Sequence, residues 1–159
     1  MPRSTASDQI KKRDLSKTAK PLFKNGHQPI FVIQEHHASH LHYDFRIEID
    51  GVLASWAVPK GPSNKPHIKR LAIFTEDHPL KYASFQGTIS SGYGAGTVTI
   101  WDTGHFDNLS DDHGKPITLA QAYTKGHIKL FLHGRKLEGN YALIRFNNND
   151  KNWLLIKLD

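Results

Sequence analysis

The strongest constraint on the fold is a stretch of alternating side chains on both sides of a two-residue turn signal. From Leu41 to Ile49 the odd positions are apolar or aromatic and the even positions are polar, which is the period of a β-strand with two different faces. Asp50-Gly51 is a favoured hairpin turn, and the strand-like run Val52–Val58 follows it directly. This turn places Phe45 opposite Trp56 in an antiparallel hairpin. One face of the hairpin is therefore expected to enter a hydrophobic core.

The other face of the first strand carries His42, Asp44 and Arg46 in succession. Residues two apart on a strand point the same way, so the imidazole and the carboxylate can converge on one cation. Arg46 cannot bind a metal, but it can bind an anion that the metal also holds. His40 lies on the same face and is a possible fourth ligand. The alternative interpretation is a solvated outer face, which is what most alternating strands have.

The composition restricts the classes of protein and the kinds of metal site that this chain can form. The chain of 159 residues is long enough for one domain with a substantial core, and it has no apolar run that could span a bilayer and no signal-peptide pattern. A soluble cytoplasmic protein is the expectation. Because the chain contains no cysteine, any metal site has to use the 11 histidines and the carboxylates.

The positive charge is concentrated at the N-terminus. Residues 1–29 hold seven Lys or Arg against two Asp, so +5 of the net +6 lies there and the remainder of the chain is close to neutral. The segment is also poor in apolar residues. We therefore expect a basic flexible arm at 1–29 that can contact a phosphate backbone.

The fold expected for residues 30–159 is a single, mainly β, barrel-like domain with one or two short helices. About eight short strand-like runs separated by turn signals are typical of a closed or nearly closed barrel. Thr118–Lys125 predicts a helix that ends at Gly126. The predicted strands are 30–33, 41–49, 52–58, 70–76, 97–101, 128–132, 140–146 and 153–158, and a turn is predicted at 147–150.

Three further segments contain residues with a potential function. Lys60 follows the second strand and leaves the sheet beside the polar face, although a loop lysine is usually only solvated. His78, fixed by the following Pro79, could donate a proton or could be a structural turn residue. The glycine-rich segment 92–96 lacks the strand-before, helix-after setting of a phosphate-binding loop, so we expect a tight connection there.

Several segments taken together resemble one protein family, the 3′-phosphoesterase domain of bacterial DNA ligase D and its stand-alone bacterial and archaeal relatives. They run in unbroken order from Phe31 to the C-terminus: FVIQEHHASHLHYDFRIEIDGVLASWAVPKGPS, KRLAIFTEDHPLKYASFQGTI, YGAGTVTIWDTG, LHGRKLEGNYALIRF and NWLLIKLD. The resemblance implies a barrel-like β-fold and a manganese-dependent nuclease that trims 3′ ends. Such an enzyme removes a terminal ribonucleoside and then the 3′-phosphate left behind.

The resemblance also implies roles for individual residues. His36, His42 and Asp44 match the metal ligands of the family. Arg46, His78 and Tyr82 match catalytic positions around the scissile phosphate, with His78 as the candidate proton donor to the leaving 3′-oxygen. The supporting phosphate- or substrate-binding positions are Arg13, Asp14, Gln34, Lys60, Arg70 and Glu76. Lys20 stands where the family usually has Glu, and this departure weakens the match in the arm.

Two other functions stay open at the level of sequence. His42 and Asp44 could be the first two ligands of an iron(II), 2-oxoglutarate-type oxygenase, with His127 as the third and Arg135 binding the co-substrate. A non-catalytic nucleic-acid-binding module would use the basic arm but would leave the polar strand face unexplained. For the phosphoesterase, the expected partners are nucleic-acid 3′ ends and a separately encoded ligase or polymerase, and a monomer without membrane contact is expected.

Overall fold

The computed structural model describes residues 27–92 and 95–159. Its elements, in chain order, are β1 (Ile30–His37), β2 (Leu41–Ile49), β3 (Val52–Val58), β4 (Lys69–Phe74), β5 (His78–Pro79), a 3₁₀ helix (Leu80–Ser84), β6 (Gly87–Ile89), β7 (Gly96–Asn108), β8 (Asp111–Asp112), β9 (Lys115–Pro116), α1 (Leu119–Lys125), β10 (His127–His133), β11 (Glu138–Arg145) and β12 (Asn152–Lys157). The predicted mainly β, barrel-like fold is confirmed.

The strands close into a barrel. The order β1-β2-β3-β4-β12-β11-β10-β7 returns to its start because β7 also pairs with β1, which gives an antiparallel barrel of eight strands in the described part of the chain. Two short strands attach at its edges, since β5 pairs with β3 and β6 pairs with β7. Closure leaves the eight barrel strands without a free edge.

The hairpin predicted from alternation forms with the predicted register. Phe45 pairs with Trp56, Tyr43 with Val58 and Arg46 with Ser55. Asp50 and Gly51 have φ values of 53° and 87°, the backbone conformation that a type I′ turn requires. Because the register is fixed, the apolar and polar residues of β2 lie on opposite faces of the barrel wall.

The barrel interior is the hydrophobic core. Large aromatic side chains fill it, and Trp56 contacts both Phe74 and Trp153 at ring-centroid distances of 5.3 and 5.4 Å. At the end of the barrel opposite the β1–β2 turn, Tyr123 of α1 stacks on Trp153 at 5.5 Å. Thr118 caps α1 by accepting a hydrogen bond from the Gln121 N–H, and Gly126 ends the helix with φ 82°, as predicted.

Two strands are longer than their sequence pattern predicts. β1 extends through the polar run Gln34–His37, and β7 covers Gly96–Asn108 instead of 97–101. β7 reaches this length because it pairs with β1 along its first part and with β10 at its end. Such long-range pairing overrides a local sequence without clear alternation.

The remaining expectations on the fold concern connections and the arm. A turn separates β11 from β12, as predicted, and Asn147 and Asn148 have positive φ there. The described part of 92–96 joins β6 to β7, while Tyr93 and Gly94 lie outside the described residues. Most of the predicted arm, with Arg13 and Asp14, also lies outside them. Within residues 27–92 and 95–159, no helix has the length and hydrophobicity needed to cross a membrane.

Candidate metal centre on the barrel wall

The polar faces of β1 and β2 form one cluster on the outside of the barrel. His36 and His42 are direct cross-strand partners, and Gln34 is the partner of Asp44. Outward-facing positions alternate with the core positions of both strands, so these side chains lie side by side. Asp44, Arg46 and Glu48 are buried, so this face of β2 is not the solvated outer face of the alternative interpretation.

His36, His42 and Asp44 converge closely enough to share one cation. One potential ligand atom from each lies within 4.8 Å of those of the other two. His42 Nε2 is 3.3 Å from Asp44 Oδ1, and His36 Nδ1 is 3.5 Å from Asp44 Oδ2. Two imidazoles and one carboxylate fit a divalent transition metal, with coordination positions left open for substrate or water.

The charged groups of the cluster favour each other's ionised forms, as the pKa values of Asp44 and His42 indicate. Burial alone would raise the pKa of Asp44, but the hydrogen bond from His42 and the charge of Arg46 outweigh it, so this pKa lies below its ordinary value. The same hydrogen bond raises the pKa of His42, against the opposing effect of burial. Without a metal, the pair therefore favours a protonated His42 beside an ionised Asp44.

Arg46 is the centre of a buried hydrogen-bond network next to this cluster. Its Nε donates to Gln34 Oε1 at 2.6 Å, its Nη1 lies 3.0 Å from His78 Nδ1, and its Nη2 lies 3.4 Å from Asp44 Oδ2. Burial lowers the pKa of Arg46, while Asp44 acts in the opposite direction. The guanidinium is thus fixed beside the three potential metal ligands.

Gln34 connects Arg46 to the 3₁₀ helix. The Gln34 side chain is fully buried, and its Nε2 donates to the carbonyl oxygens of Tyr82 and Phe85 at 3.0 and 3.1 Å. The ring of Tyr82 stacks on Phe85 at 4.9 Å and has Arg46 at 5.0 Å from its centroid. Burial raises the pKa of Tyr82, so its hydroxyl keeps its proton at neutral pH.

His78 faces the same network from β5. The pairing of β5 with β3 places the His78 ring 4.8 Å from that of Tyr82. Its Nδ1 also lies 3.2 Å from the Glu76 carbonyl oxygen and 3.5 Å from Ser55 Oγ. Glu76 is exposed, and its negative charge partly offsets the lowering of the Arg46 pKa by burial. The segment 76–82 thus brings three predicted site residues to the cluster.

Arg70 is placed away from this network, and the described contacts do not connect Lys60 to it. Arg70 lies on the inward-facing side of β4, in line with the core residues Ala72 and Phe74, and it lines a cavity at the barrel end. It therefore does not lie beside Arg46, because the alternation of β4 directs its side chain to the other face of the barrel wall. Lys60 is exposed in the turn after β3.

The possible fourth ligand and the oxygenase triad are not formed. Within residues 27–92 and 95–159 the cluster that could hold a metal contains His36, His42 and Asp44 alone. His40 is exposed in the β1–β2 turn and offers its carbonyl oxygen to His42 Nδ1 at 3.3 Å. His127 begins β10 and is not among the described residues that converge with His42 and Asp44, so it does not complete a triad with them.

Ser55 and Phe85 also contact the network, although neither is among the predicted site residues. The hairpin register pairs Ser55 with Arg46, and its Oγ lies 3.5 Å from His78 Nδ1. The register already placed it on the correct face, so the signal was present. Phe85 had no comparable signal, because its part in the site is a backbone carbonyl and a stacked ring in an irregular segment.

Fold and site together define a closed β-barrel protein with a candidate metal centre on its outer wall. Residues 34–145 match the family described as the DNA ligase D 3′-phosphoesterase domain. The multifunctional non-homologous end joining protein LigD of Pseudomonas aeruginosa is 44% identical over 162 residues, covering 95% of this chain and 18% of that protein. The corresponding DNA repair protein of Mycobacterium tuberculosis is 50% identical over 153 residues, covering 92% of this chain and 19% of that protein.

A third relative, LigD of Mycolicibacterium smegmatis, is 45% identical over 158 residues, covering 89% of this chain and 19% of that protein. The chain thus spans about a fifth of the length of these relatives. It belongs to the DNA ligase D 3′-phosphoesterase domain family, as its sequence motifs indicated.

Proposed function

We propose that this protein is a manganese-dependent 3′-end-processing phosphoesterase acting on nucleic-acid ends in DNA repair. It would remove 3′-terminal ribonucleosides and 3′-phosphates. The observation that carries the proposal is the convergence of His36, His42 and Asp44 next to the buried guanidinium of Arg46. Family membership and the names of the relatives, which describe end joining and DNA repair, support the same role.

The three ligand residues fit manganese. Neutral imidazole and carboxylate donors bind Mn²⁺ and related divalent cations, and the cluster offers no thiolate. When bound there, such a cation supplies Lewis acidity toward a phosphoryl oxygen or a bound water. Asp44 is suited to this role because it is ionised at neutral pH.

Arg46 would bind the non-bridging oxygens of the scissile phosphate. Its guanidinium is fixed by Gln34 and Asp44 before substrate arrives, so little reorganisation is needed as charge develops on the phosphoryl group. Tyr82, which keeps its proton, can donate a hydrogen bond to the same group. Lys60 and Glu76 are proposed as supporting positions at the rim of this site.

His78 would donate a proton to the leaving 3′-oxygen. Only the imidazolium form can give up a proton, because a neutral ring would be left as an imidazolate. In that form Nδ1–H can donate to the Glu76 carbonyl oxygen, 3.2 Å away, and the Nε2 proton passes to the leaving oxygen, which leaves a neutral ring. The neutral ring can then accept from Arg46 through Nδ1, 3.0 Å from Nη1, once its hydrogen is again on Nε2.

The test is cleavage of 5′-labelled primer–templates that end in one ribonucleotide or in a 3′-phosphate, with manganese and with a chelator. We expect metal-dependent loss of the terminal group by the full chain. His42→Ala and Asp44→Ala should each abolish product formation and should keep a cooperative thermal transition, because both side chains lie outside the hydrophobic core.

Matched controls separate the cluster from its surroundings. His40→Ala and His37→Ala remove neighbouring exposed imidazoles that lie outside the cluster, so both should retain wild-type turnover. Wild-type turnover of His42→Ala or Asp44→Ala at limiting manganese would overturn the metal assignment. Cleavage that is insensitive to the chelator would overturn the proposed metal dependence.

The protein partners follow from the chemistry of the product. A trimmed 3′-hydroxyl is the end that a ligase or polymerase uses, so we propose that a separately encoded enzyme of that kind acts on the same ends. We also propose that the chain works as a monomer in the cytoplasm.

A further inference from the structure

A second polar feature lies at the barrel end that carries the β1–β2 turn. A cavity of about 680 Å³ opens there between the loop that follows β3 and the β10–β11 turn. Arg70 lines it from β4, Trp101 from β7, Lys65 from the loop and Lys136 from the turn. The cavity is therefore built from four separate parts of the barrel.

The cavity is strongly cationic. Three of its lining residues are Lys65, Arg70 and Lys136, and none of the described residues that line it is acidic. Within the described part of the chain none of the three forms an ion pair, and the buried Nε of Arg70 has no hydrogen-bond partner. Unpaired cations around a buried donor are suited to an anion.

Lys136 is exposed, but a ring contact orients its side chain and hydrogen bonds fix its backbone. Its Nζ lies 4.6 Å from the centroid of the Trp101 ring, a cation–π contact. The turn that carries it is fastened by the buried carboxylate of Asp102, which accepts hydrogen bonds from the backbone N–H groups of Arg135, Lys136 and Leu137 at 2.8, 3.1 and 2.9 Å. A lysine that is already oriented in this way loses less side-chain entropy when it binds an anion than a freely rotating one.

The cavity and the metal cluster are neighbours across the barrel wall. Tyr43 stands between the cluster residues His42 and Asp44 on β2, but its ring points inward and meets Trp101 at 5.7 Å. The two sites thus occupy opposite faces of the same strand at the same barrel end. A polynucleotide chain that passes over this rim can reach both.

We infer that this cavity is a second phosphate-binding subsite, which holds an internucleotide phosphate of the strand whose 3′ end lies at the metal cluster. The inference rests on the proposed function, because it takes the substrate to be a nucleic acid. Arg70 supplies a planar donor, Lys136 supplies a fixed positive charge, and Lys65 adds to the field from the loop. The length of the strand that the protein prefers then depends on this cavity.

The test measures oligonucleotide binding by the full chain in the absence of divalent metal, over a series of salt concentrations. Lys136→Gln should weaken binding about three- to tenfold and lower the salt dependence by about 0.7 for one lost single-strand phosphate contact. Lys136→Arg, which keeps the charge, should restore most of the loss. Lys151→Gln makes the same charge change in the β11–β12 turn at the opposite end of the barrel, and we expect no change in binding or in salt dependence.

Trp101 gives a direct readout of the cavity. Of the three tryptophans, Trp56 and Trp153 are fully buried in the core, whereas Trp101 is partly exposed. Oligonucleotide binding should therefore change a fluorescence signal that Trp101→Phe removes. Single strands of increasing length should show this change only once they are long enough to reach the cavity from their 3′ end.

The outcomes are distinct. Equal salt dependence in wild-type protein and Lys136→Gln overturns the subsite, even if cleavage assays support the proposed enzyme. A full response to inorganic phosphate or to a mononucleotide alone identifies a free-phosphate site and overturns the strand assignment. Failure of cleavage together with the predicted loss in Lys136→Gln removes the proposed activity and leaves a nucleic-acid-binding cavity.

Discussion

At the scale of single residues, the site depends on side chains that are both polar and buried. Gln34 and Arg46 have little or no exposed surface, yet each makes at least two polar contacts. A buried donor without a partner costs free energy, so this network is stable only when each member is present. The same requirement fixes Arg46 in one position beside the candidate metal ligands.

Replacing Gln34 by methionine keeps the size of the side chain and removes its hydrogen bonds. Arg46 Nε and two backbone carbonyls would lose a partner, so we expect a loss of about 2–4 kcal/mol in the free energy of unfolding. Turnover should fall about 10- to 100-fold, because an outer residue that orients a catalytic group is lost. Manganese affinity should change little, since the described hydrogen bonds of the Gln34 side chain go to Arg46, Tyr82 and Phe85 and not to the potential ligands.

Denaturant unfolding, turnover and manganese titration of Gln34→Met test these three expectations. Gln86→Met is a suitable control, because Gln86 is exposed and its Oε1 accepts one hydrogen bond, from the Ile100 N–H at 2.8 Å, that is separate from the contacts of Arg46. A Gln34→Met protein that unfolds normally and keeps its turnover would show that Arg46 does not need this partner.

Manganese binding should weaken as the pH falls. Because Asp44 raises the pKa of His42, a bound proton has to leave that ring before a metal can bind. The pKa of Asp44 lies below its ordinary value, so this carboxylate adds no competition near neutral pH. Below the His42 pKa, metal affinity should drop about tenfold for each pH unit.

In the metal-free protein, protonation of His42 has the opposite effect, because it stabilises the fold. The raised pKa of His42 stabilises the fold below its ordinary value of 6.5, and this contribution is lost as the pH rises through the folded-state pKa. The lowered pKa of Asp44 stabilises the fold above 3.8, and this contribution is lost as the pH falls. The increase in Tm caused by manganese should therefore grow between about pH 6 and about pH 8. An increase independent of pH, in wild-type protein and in His40→Ala alike, would contradict this proton competition.

At the scale of elements, the β2–β3 hairpin was predictable from its sequence, and β7 was not. The hairpin has strict alternation and a turn that fixes its register, so local chemistry determines which residues face the core. β7 has no such pattern and takes its length from two different partners along the barrel. The same reason limits how much of the site can be predicted from sequence. Alternation places His42, Asp44 and Arg46 on one face. His78 and Tyr82 come to lie beside them only because β5 pairs with β3.

Asp102 of β7 is expected to be essential for the β10–β11 turn. Its carboxylate accepts four backbone N–H hydrogen bonds, from Thr103 and from the three turn residues that follow Gly134. In Asp102→Asn, the amide nitrogen would face N–H donors, so we expect a loss of about 2–4 kcal/mol in the free energy of unfolding. Denaturant unfolding measures this loss.

Asp107→Asn is the matched control for this change. Asp107 lies on the same strand, but it is exposed and pairs with His133 at 2.8 Å on the surface. Its substitution should cost less than about 1 kcal/mol. Equal losses in the two variants would show that the Asp102 hydrogen bonds contribute no more than a surface pair.

At the scale of the whole molecule, the barrel separates stability from chemistry. The interior holds the aromatic core, the outer wall carries the candidate metal centre, and one barrel end carries the cationic cavity. The body of the chain is close to neutral, so these sites are local concentrations of charge rather than parts of a generally basic surface. The basic N-terminal segment adds the long-range positive field.

Two hypotheses describe the role of that segment: it only adds positive charge, or it completes the active site. If residues 1–29 only add charge, their deletion should weaken substrate binding and its salt dependence, and leave the rate at saturating substrate unchanged. If Arg13 and Asp14 complete the site, as the family resemblance implies, Arg13→Ala should lower the saturated rate itself. We favour completion of the site. Single-turnover rates at saturating substrate decide between them, and an unchanged rate in both variants would leave the segment an electrostatic tether.

The alternation along β2 has a consequence for how such a chain can change over generations. Its odd residues build the core and its even residues build the candidate centre, so inserting or deleting one residue within the strand would exchange the two sets. Phe45 would then meet water, and Asp44 would enter the interior. Point substitutions can tune the outer wall one position at a time, whereas length changes are tolerated only in the turns. Lineages of this fold should therefore diverge in side chains while conserving the spacing of this strand.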